Sequence, residues 1–139
     1  MLDTDTCSYV IRQRPGTVLA TMQDKVQTGH DLSISAITYA ELRLGAARSA
    51  NPRKHNRLIS EFCERLDAVH PWDSTAADYF ARLQATLFAA GTPIGNNDTM
   101  IAGHALSIHA VVVTNNHNHF SQVPKLKLEN WALLQRPKN

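Results

Sequence analysis

Short apolar stretches alternate along this chain with longer segments whose apolar residues recur every three or four positions. The first pattern predicts strands, and the second predicts amphipathic helices. The clearest strand is the run AVVVT at residues 110–114, which is continuously apolar, as expected of a strand buried on both faces. Alternating strands and helices predict an α/β domain built on a parallel sheet.

These patterns predict five strands and five helices. The strands are predicted at residues 1–3, 31–35, 67–70, 110–114 and 126–134. The helices are predicted at residues 17–26, 37–47, 52–66, 74–90 and 99–109, with a turn-rich loop at residues 92–97. Glycine and proline support several of these boundaries, since Pro15-Gly16 precedes the first helix and Gly91 ends the fourth.

The length of 139 residues fits one compact domain, which we place at residues 1–134, followed by a short polar tail at 135–139. Hydrophobic residues make up 43% of the chain, which is enough for a single core. The apolar runs are far shorter than the ~20 residues of a membrane-spanning helix, and the start MLDTDTC has no apolar secretory region. We therefore expect a soluble, cytoplasmic protein without membrane contact.

Two cysteines and seven histidines raise the question of a structural metal. Cys7 and Cys63 form no C-x-x-C pair, and the helical apolar pattern around Cys63 predicts a buried thiol. His117 and His119 flank one residue in a predicted loop, but no second Cys/His pair completes a tetrahedral site at standard spacing. We therefore do not expect structural zinc. His104 lies in an apolar helix and is predicted to be packed and hydrogen-bonded.

The formal net charge is only +2, but the charges are unevenly distributed. No acidic residue lies between Glu41 and Glu61, whereas five basic residues do: Arg43, Arg48, Arg53, Lys54 and Arg57. A second basic group lies toward the C-terminus and consists of Lys125, Lys127, Arg136 and Lys138. Clusters of this kind hold nucleic-acid phosphates in many proteins, and the structural alternative is a solvated helix face.

Three carboxylates are the first candidates for chemistry. Asp3 ends the first predicted strand, Glu41 lies in the first turns after the second, and Asp98 opens the helix before the strand at 110–114. Ligands of open parallel sheets bind beyond the carboxyl ends of the strands. Carboxylates gathered there repel one another unless a cation lies between them, and hard oxygen ligands favour Mg²⁺ or Mn²⁺ over zinc.

Two of these acids have an ordinary structural alternative. Glu41 stands three residues after Thr38, which is the spacing of a helix capping box. Asp98 at a helix start is stabilised by the helix dipole. Asp3 directly follows a core-strand leucine, where an acid gains little structurally, so it is the strongest candidate of the three.

Several short motifs follow one another from residue 1 to Trp131. They are Met1-Leu2-Asp3-Thr4, residues 35–42 (SAITYAEL), Gly45-Ala46, residues 91–95 (GTPIG), Asn97-Asp98, residues 101–105 (IAGHA), residues 113–116 (VTNN), Phe120 and Val123-Pro124. Each motif alone is weak support, but the ordered set is specific and covers nearly the whole chain. In this order the motifs resemble the VapC-type toxins of the PIN-domain ribonuclease family.

The resemblance implies a PIN domain, with a mostly parallel, twisted central sheet flanked by helices on both faces, assembled as a homodimer. It implies a metal-dependent endoribonuclease that uses Mg²⁺ or Mn²⁺ and inhibits translation by cutting a tRNA in its anticodon loop. The matching acids Asp3, Glu41 and Asp98 would form the metal site. A small VapB-type antitoxin would bind the toxin, and the complex would bind operator DNA.

Three positions depart from the family pattern. Many relatives carry a fourth acid where this chain has Asn116, others carry one near His119, and Asp5 stands where close relatives often have asparagine. An amide can ligate a metal or hold a water but adds no charge. We therefore predict Asn116 in the catalytic site, with Asp5, Thr114 and His119 as additional site residues.

The resulting hypothesis is hydrolysis of an RNA phosphodiester by a metal-activated water. Asp3 and Asp98 would ligate the ion, Glu41 would ligate it through water or orient the nucleophile, and Asn116 and Thr114 would position the phosphate or the water. The basic residues between Glu41 and Glu61 would hold the strand. Two alternatives stay open: a catalytically weak nucleic-acid-binding or regulatory subunit, and a PIN-like nuclease acting on other RNA or on structured DNA.

Overall fold

The computed structural model describes residues 1–132. Within them the chain forms seven helices: α1 (Thr4–Arg12), α2 (Gly16–Gln27), α3 (Ala36–Ala47), α4 (Pro52–Glu64), α5 (Ser74–Ala89), α6 (Asn96–Ser107) and α7 (His117–Phe120). This part of the chain also forms four short strands: β1 (Ser33–Ser35), β2 (Ala68–His70), β3 (Val112–Val113) and β4 (Leu128–Glu129). Among the described residues, no helix is long and apolar enough to span a membrane.

The backbone at Leu2 joins these strands into one row. β1 pairs with β2, and β3 pairs with β4, in both cases in parallel. Leu2 forms a parallel bridge with Val113 of β3, and its N–H donates to the Ser33 carbonyl of β1 at 2.9 Å. The resulting order is β2, β1, the Leu2 segment, β3 and β4. The predicted parallel sheet is confirmed, although its strands are only two or three residues long.

Helices cover both faces of the sheet because successive residues of a strand point to opposite sides. Leu2 and Val113 pack into an apolar cluster with side chains of α1, α2, α3 and α4. Met1 and Val112 pack into a second cluster with side chains of α5, α6 and α7. All four of these strand residues are buried. The predicted layering, with helices on both faces, is therefore confirmed.

Two of the helices are absent from the sequence prediction. The segment that forms α1 contains few strong helix formers, so this helix depends on its cap and on the burial of Cys7 and Val10. The predicted loop around His117 contains the short helix α7, and α6 begins at Asn96 instead of residue 99. The last predicted strand, at residues 126–134, is shortened to β4. The part of the chain outside the described residues contains positions 133–134 of that predicted strand and the tail at 135–139 with its basic residues.

Both cysteines are free thiols. Cys7 is fully buried in α1, whereas Cys63, which was predicted to be buried, is only half-buried in α4. Burial raises the pKa of both thiols, although Arg43 partly opposes this effect at Cys63. Both cysteines are therefore protonated at neutral pH and have the character of packing residues.

A buried hydrogen bond joins the end of β1 to α6. His104 Nδ1 lies 2.8 Å from Ser35 Oγ, and both side chains are buried, which confirms the prediction for His104. Ser35 Oγ also accepts from the Ile37 N–H, so this hydroxyl both caps α3 and contacts His104. Burial lowers the pKa of His104, His70 lowers it further, and Asp73 opposes the shift.

Acid is expected to weaken the link between Ser35 and His104. A folded-state pKa below 6.5 means that the unfolded chain binds the proton more readily, so the stability contributed by neutral His104 is complete above pH 6.5 and is lost as the pH falls through the lowered pKa. His104→Asn keeps a side chain that can hydrogen-bond to Ser35 but does not titrate. Urea unfolding across this pH range should show a smaller acid loss of stability for the variant, and equal losses would contradict the assignment.

Gly103 allows α6 to pack directly against α5. A Cβ at this position would lie 2.8 Å from the Phe80 backbone nitrogen, which cannot move aside as a flexible side chain would. Gly103→Ala should therefore lower the free energy of unfolding by about 1–3 kcal/mol through overpacking. Gly45→Ala is the matched control, because an added Cβ there meets nothing within 4 Å, and it should raise stability by roughly 1 kcal/mol through helix propensity. Urea denaturation distinguishes the two, and changes of the same sign would contradict this account.

Candidate active site

Asp3 lies at the carboxyl end of the central Leu2 segment and is buried. Its Oδ1 accepts from the Thr6 N–H at 2.9 Å, so Asp3 is the N-cap of α1. The expectation that an acid gains little structurally at this position was wrong. The sequence did not predict helix α1, and Asp3 is the cap of that helix. A capping aspartate contributes about 1 kcal/mol to helix stability. Asp3 therefore has a structural role whether or not it takes part in chemistry.

The environment of Asp3 disfavours an uncompensated negative charge. Burial raises the pKa of Asp3, hydrogen bonds from Thr114 and Thr6 oppose the shift, and the negative charge of Asp5 raises the pKa further. Asp5 is exposed in the first turn of α1. A cation beside Asp3 would offset both the burial of its charge and the repulsion from Asp5.

Glu41 is hydrogen-bonded to Thr4, the residue that directly follows Asp3. Its Oε1 accepts from the Thr4 hydroxyl at 2.7 Å, and its side chain is half-buried. The capping box suggested by Thr38 and Glu41 is not formed, because Ser35 is the N-cap of α3 and Thr38 lies inside the helix. Glu41 is therefore free of the capping role that would have explained it without chemistry.

Asp98 lies in the first turn of α6, two residues further along than its start at Asn96. Its Oδ2 is 3.1 Å from His119 Nδ1, and the same nitrogen is 2.9 Å from Asn116 Nδ2. Both His119 and Asn116 follow β3, so α7 and the turn before it bring these side chains to Asp98. The structure thus places together an acid, an imidazole and an amide that were predicted as site residues separately.

Thr114 connects this group to Asp3. Its hydroxyl accepts from the Asn116 N–H at 2.8 Å, and its side chain lies close enough to Asp3 to lower the pKa of that carboxyl. A continuous chain of contacts therefore runs from Asp3 through Thr114, Asn116 and His119 to Asp98 at the carboxyl edge of the sheet. Thr114 is fully buried, which fixes the turn from which the chain continues.

The donors gathered at this edge are carboxylate, hydroxyl and amide oxygens, which are the types that Mg²⁺ and Mn²⁺ prefer. Within residues 1–132, no three Asp, Glu, His or Cys side chains are close enough together to hold an ion in the present conformation. Glu41 and Asp98 instead have Thr4 and His119 as partners. The donor chemistry and the buried charge of Asp3 fit a divalent cation, although the three carboxylates are not gathered around one point in this structure.

The predicted phosphate-binding residues differ in their surroundings. Arg43 is held between α3 and α4: its guanidinium donates to the carbonyl and side-chain oxygens of Asn56 at 2.9 and 2.8 Å and to Ser60 Oγ at 2.9 Å. Arg57 forms an exposed pair with Glu61 at 3.9 Å, a type of contact that contributes little energy. The remaining three are exposed: Arg48, Arg53 and Lys54.

Two further polar side chains near Glu41 were missed in the sequence. Arg12 of α1 and His55 of α4 line the same cavity as Glu41 and Thr4. Thr4 and Arg12 are eight residues apart in one helix, so a recognised α1 would have placed them on the same face. No periodic signal pointed to His55.

The comparisons with known proteins agree with this geometry. The profile of the PIN domain family matches residues 1–126. The tRNA(fMet)-specific endonuclease VapC of Salmonella typhimurium is 37% identical over 132 residues, which cover 95% of this chain and 97% of that protein. The ribonuclease VapC2 of Rickettsia felis is 34% identical over 131 residues, which cover 94% of this chain and 96% of that protein.

Solved structures give the same result. The crystal structure of VapBC2 from Rickettsia felis, bound to a promoter DNA fragment, contains a chain that matches with a TM-score of 0.88 and 33% identity, covering 94% of this chain and 97% of the other. The DNA-bound VapBC structure from Salmonella typhimurium matches with a TM-score of 0.86 and 37% identity, covering 94% and 96%. The shared sequence and fold show that this chain belongs to the PIN-domain family and, within it, to the VapC ribonucleases.

Proposed function

We propose that this chain is the toxin of a bacterial type II toxin–antitoxin pair and that it hydrolyses RNA phosphodiester bonds with the help of Mg²⁺ or Mn²⁺. The observation that carries the proposal is the chain of contacts from the buried Asp3 through Thr114, Asn116 and His119 to Asp98. A buried carboxylate with a raised pKa at the carboxyl edge of a parallel sheet favours a site for a cation and a phosphate.

In this proposal Asp3 and Asp98 would hold the ion. When bound, the ion would lower the pKa of water and neutralise charge on the attacked phosphate. Glu41 accepts the Thr4 hydroxyl hydrogen on Oε1, which leaves its other oxygen to orient the attacking water. Asn116 has an amide to position the phosphate, and His119 orients the Asp98 carboxylate.

The substrate and partners follow from the relatives. One relative is named as specific for tRNA(fMet), so we propose a tRNA as the substrate here, cut in its anticodon loop with inhibition of translation as the result. Three of the similar solved structures are VapBC complexes, two of these three with DNA, so we propose a VapB-type antitoxin as partner and operator DNA as the target of the complex. We further propose that the toxin is a cytoplasmic homodimer and that Arg48, Arg53 and Lys54 hold the RNA strand.

A second candidate function rests on Asn116. An amide in place of a fourth acid lowers the negative charge of the site, which favours a catalytically weak subunit that binds nucleic acid without cutting it. PIN-like nucleases that cut other RNA or structured DNA use the same residue types. The assays below separate these candidates.

Removal of the Asp98 charge should abolish RNA cleavage. We expect purified, antitoxin-free protein to cut total tRNA at discrete positions with Mg²⁺ or Mn²⁺, and not in the presence of a chelator. Asp98→Asn, which is nearly isosteric, should reduce the cleavage rate by about a hundredfold or more, because it removes a ligand of the charge-neutralising ion. Asp78→Asn is the matched control, since Asp78 is an exposed acid of α5 outside the site. The rates are measured by gel electrophoresis of end-labelled tRNA.

Full activity of a folded Asp98→Asn protein would contradict the metal-site assignment. Metal binding without cleavage of any RNA would favour the binding subunit. Equal cleavage of RNA and DNA versions of one loop would favour the broader nuclease.

Substitutions of Asp3 should separate its cap from its charge. Asp3→Asn keeps a capping oxygen and should leave the free energy of unfolding unchanged or raised, because it removes a buried charge. Asp3→Ala removes the cap as well and should cost about 1 kcal/mol. Both variants should lose cleavage, because both lack the carboxylate. Thermal unfolding in chelator and the tRNA assay measure the two effects. Normal tRNA cleavage by Asp3→Asn would show that Asp3 has only a structural role, as the cap of α1.

A further inference from the structure

A cavity lies beside Glu41 where α1, α3 and α4 meet. Its volume is about 230 Å³, and its lining includes Thr4 and Ser8 of α1, Glu41 of α3 and His55 of α4. The cavity is smaller than the sites that hold drug-sized ligands, so it suits a single flat group. It shares Glu41 and Thr4 with the candidate active site and is therefore continuous with it.

The lining combines an apolar floor with two groups that suit phosphate. Leu42 and Ile59 contribute apolar side chains on which a flat ring can pack. Arg12 and His55 line the cavity from two different helices. A guanidinium holds phosphate oxygens in a planar fork, and an imidazole N–H can donate to them. This combination matches one nucleotide, which presents an apolar ring face and a charged backbone.

The hydrogen-bond directions at the cavity wall are set by the protein. The Thr4 hydroxyl donates to the Glu41 carboxylate at 2.7 Å, and the Ser8 hydroxyl donates to the Thr4 carbonyl at 3.1 Å. A carboxylate and a carbonyl can only accept, so both hydroxyl hydrogens are committed. Thr4, Ser8 and Glu41 therefore present only acceptor oxygens to a bound group.

We infer that this cavity binds the RNA base next to the cleaved phosphate and prefers a base with an exocyclic amino group. This inference rests on the proposed ribonuclease function. An amino group donates to the acceptor wall, whereas the corresponding carbonyl oxygen of uracil faces other acceptors. Arg12 and His55 hold the backbone phosphate of the same nucleotide. The cavity thus contributes to the choice of cleavage site.

Gly45 provides a steric test, because it lines the cavity and an added side chain meets no atom within 4 Å of its Cβ. Gly45→Leu fills the cavity in an ordinary helical conformation, so the fold is retained. We expect it to lower kcat/KM for cleavage by about tenfold to a hundredfold, the effect of losing the burial of one apolar ring. Ala47→Leu is the matched control, because Ala47 is exposed on the same helix and does not line the cavity; its kcat/KM should stay within about twofold.

The wild-type protein gives a second test that needs no variant. Short single-stranded RNAs that contain the mapped cleavage site are compared, with cytosine or uracil at the position on either side of the cut. At one of the two positions we expect cytosine to be preferred in kcat/KM by about tenfold, the discrimination of a well-paired base edge. Ser8→Ala removes one acceptor and should reduce this preference.

Two results would overturn the inference. The first is normal cleavage by Gly45→Leu; if this variant also binds the antitoxin more weakly, the cavity is a protein-docking site. The second is equal cleavage of the cytosine and uracil RNAs at both positions. Failure of the wild-type protein to cut any RNA is a different outcome, because it contradicts the proposed function itself.

Discussion

The backbone hydrogen bonds of Leu2 and Asp3 hold the two halves of the sheet together. The Leu2 N–H donates to Ser33, the Asp3 N–H donates to the Val113 carbonyl at 3.0 Å, and the Val113 N–H donates to the Met1 carbonyl at 2.9 Å. Within the described residues, the segment 1–3 therefore joins the pairs β1–β2 and β3–β4 into one sheet. Isolated two-stranded pairs of this length are marginally stable. The fully buried Leu2 also sets the position of Asp3, because the chain leaves the sheet directly after it.

The Asp3 side chain caps α1 and is also a candidate metal ligand. α1 needs an acceptor for the Thr6 N–H, which asparagine would supply as well. Only aspartate adds a negative charge, and burial makes that charge unfavourable, as the raised pKa shows. The folded chain therefore carries an unfavourable buried carboxylate at the sheet edge, and a bound cation would stabilise the negative charge of that carboxylate.

The three candidate acids lie on separate elements, and polar links between distant segments hold those elements in register. Thr4 connects α1 to Glu41 of α3, and His119 connects the segment after β3 to Asp98 of α6. Ser35 and His104 join the end of β1 to α6 in the core. Each link pairs a donor with a specific acceptor, so a shift of one helix by a fraction of a turn would break it. The arrangement of the site is thus a property of the packed helices.

The sequence by itself determined the parallel α/β architecture and helices α2 to α6, because buried apolar faces repeat with a regular period. It also predicted the three candidate acids, from their places beside the strands and from the order of the motifs. It did not determine α1, since Thr4-Asp5-Thr6 has weak helix propensity and the cap provided by Asp3 is visible only once the helix is known. The capping box that it offered as an alternative for Thr38 and Glu41 is not formed, because the end of β1 decides that Ser35 is the cap of α3. Only the tertiary structure decided which partner each polar side chain has. Hydrogen bonds such as that from Thr4 to Glu41 join residues far apart in the chain and leave no periodic pattern in the sequence.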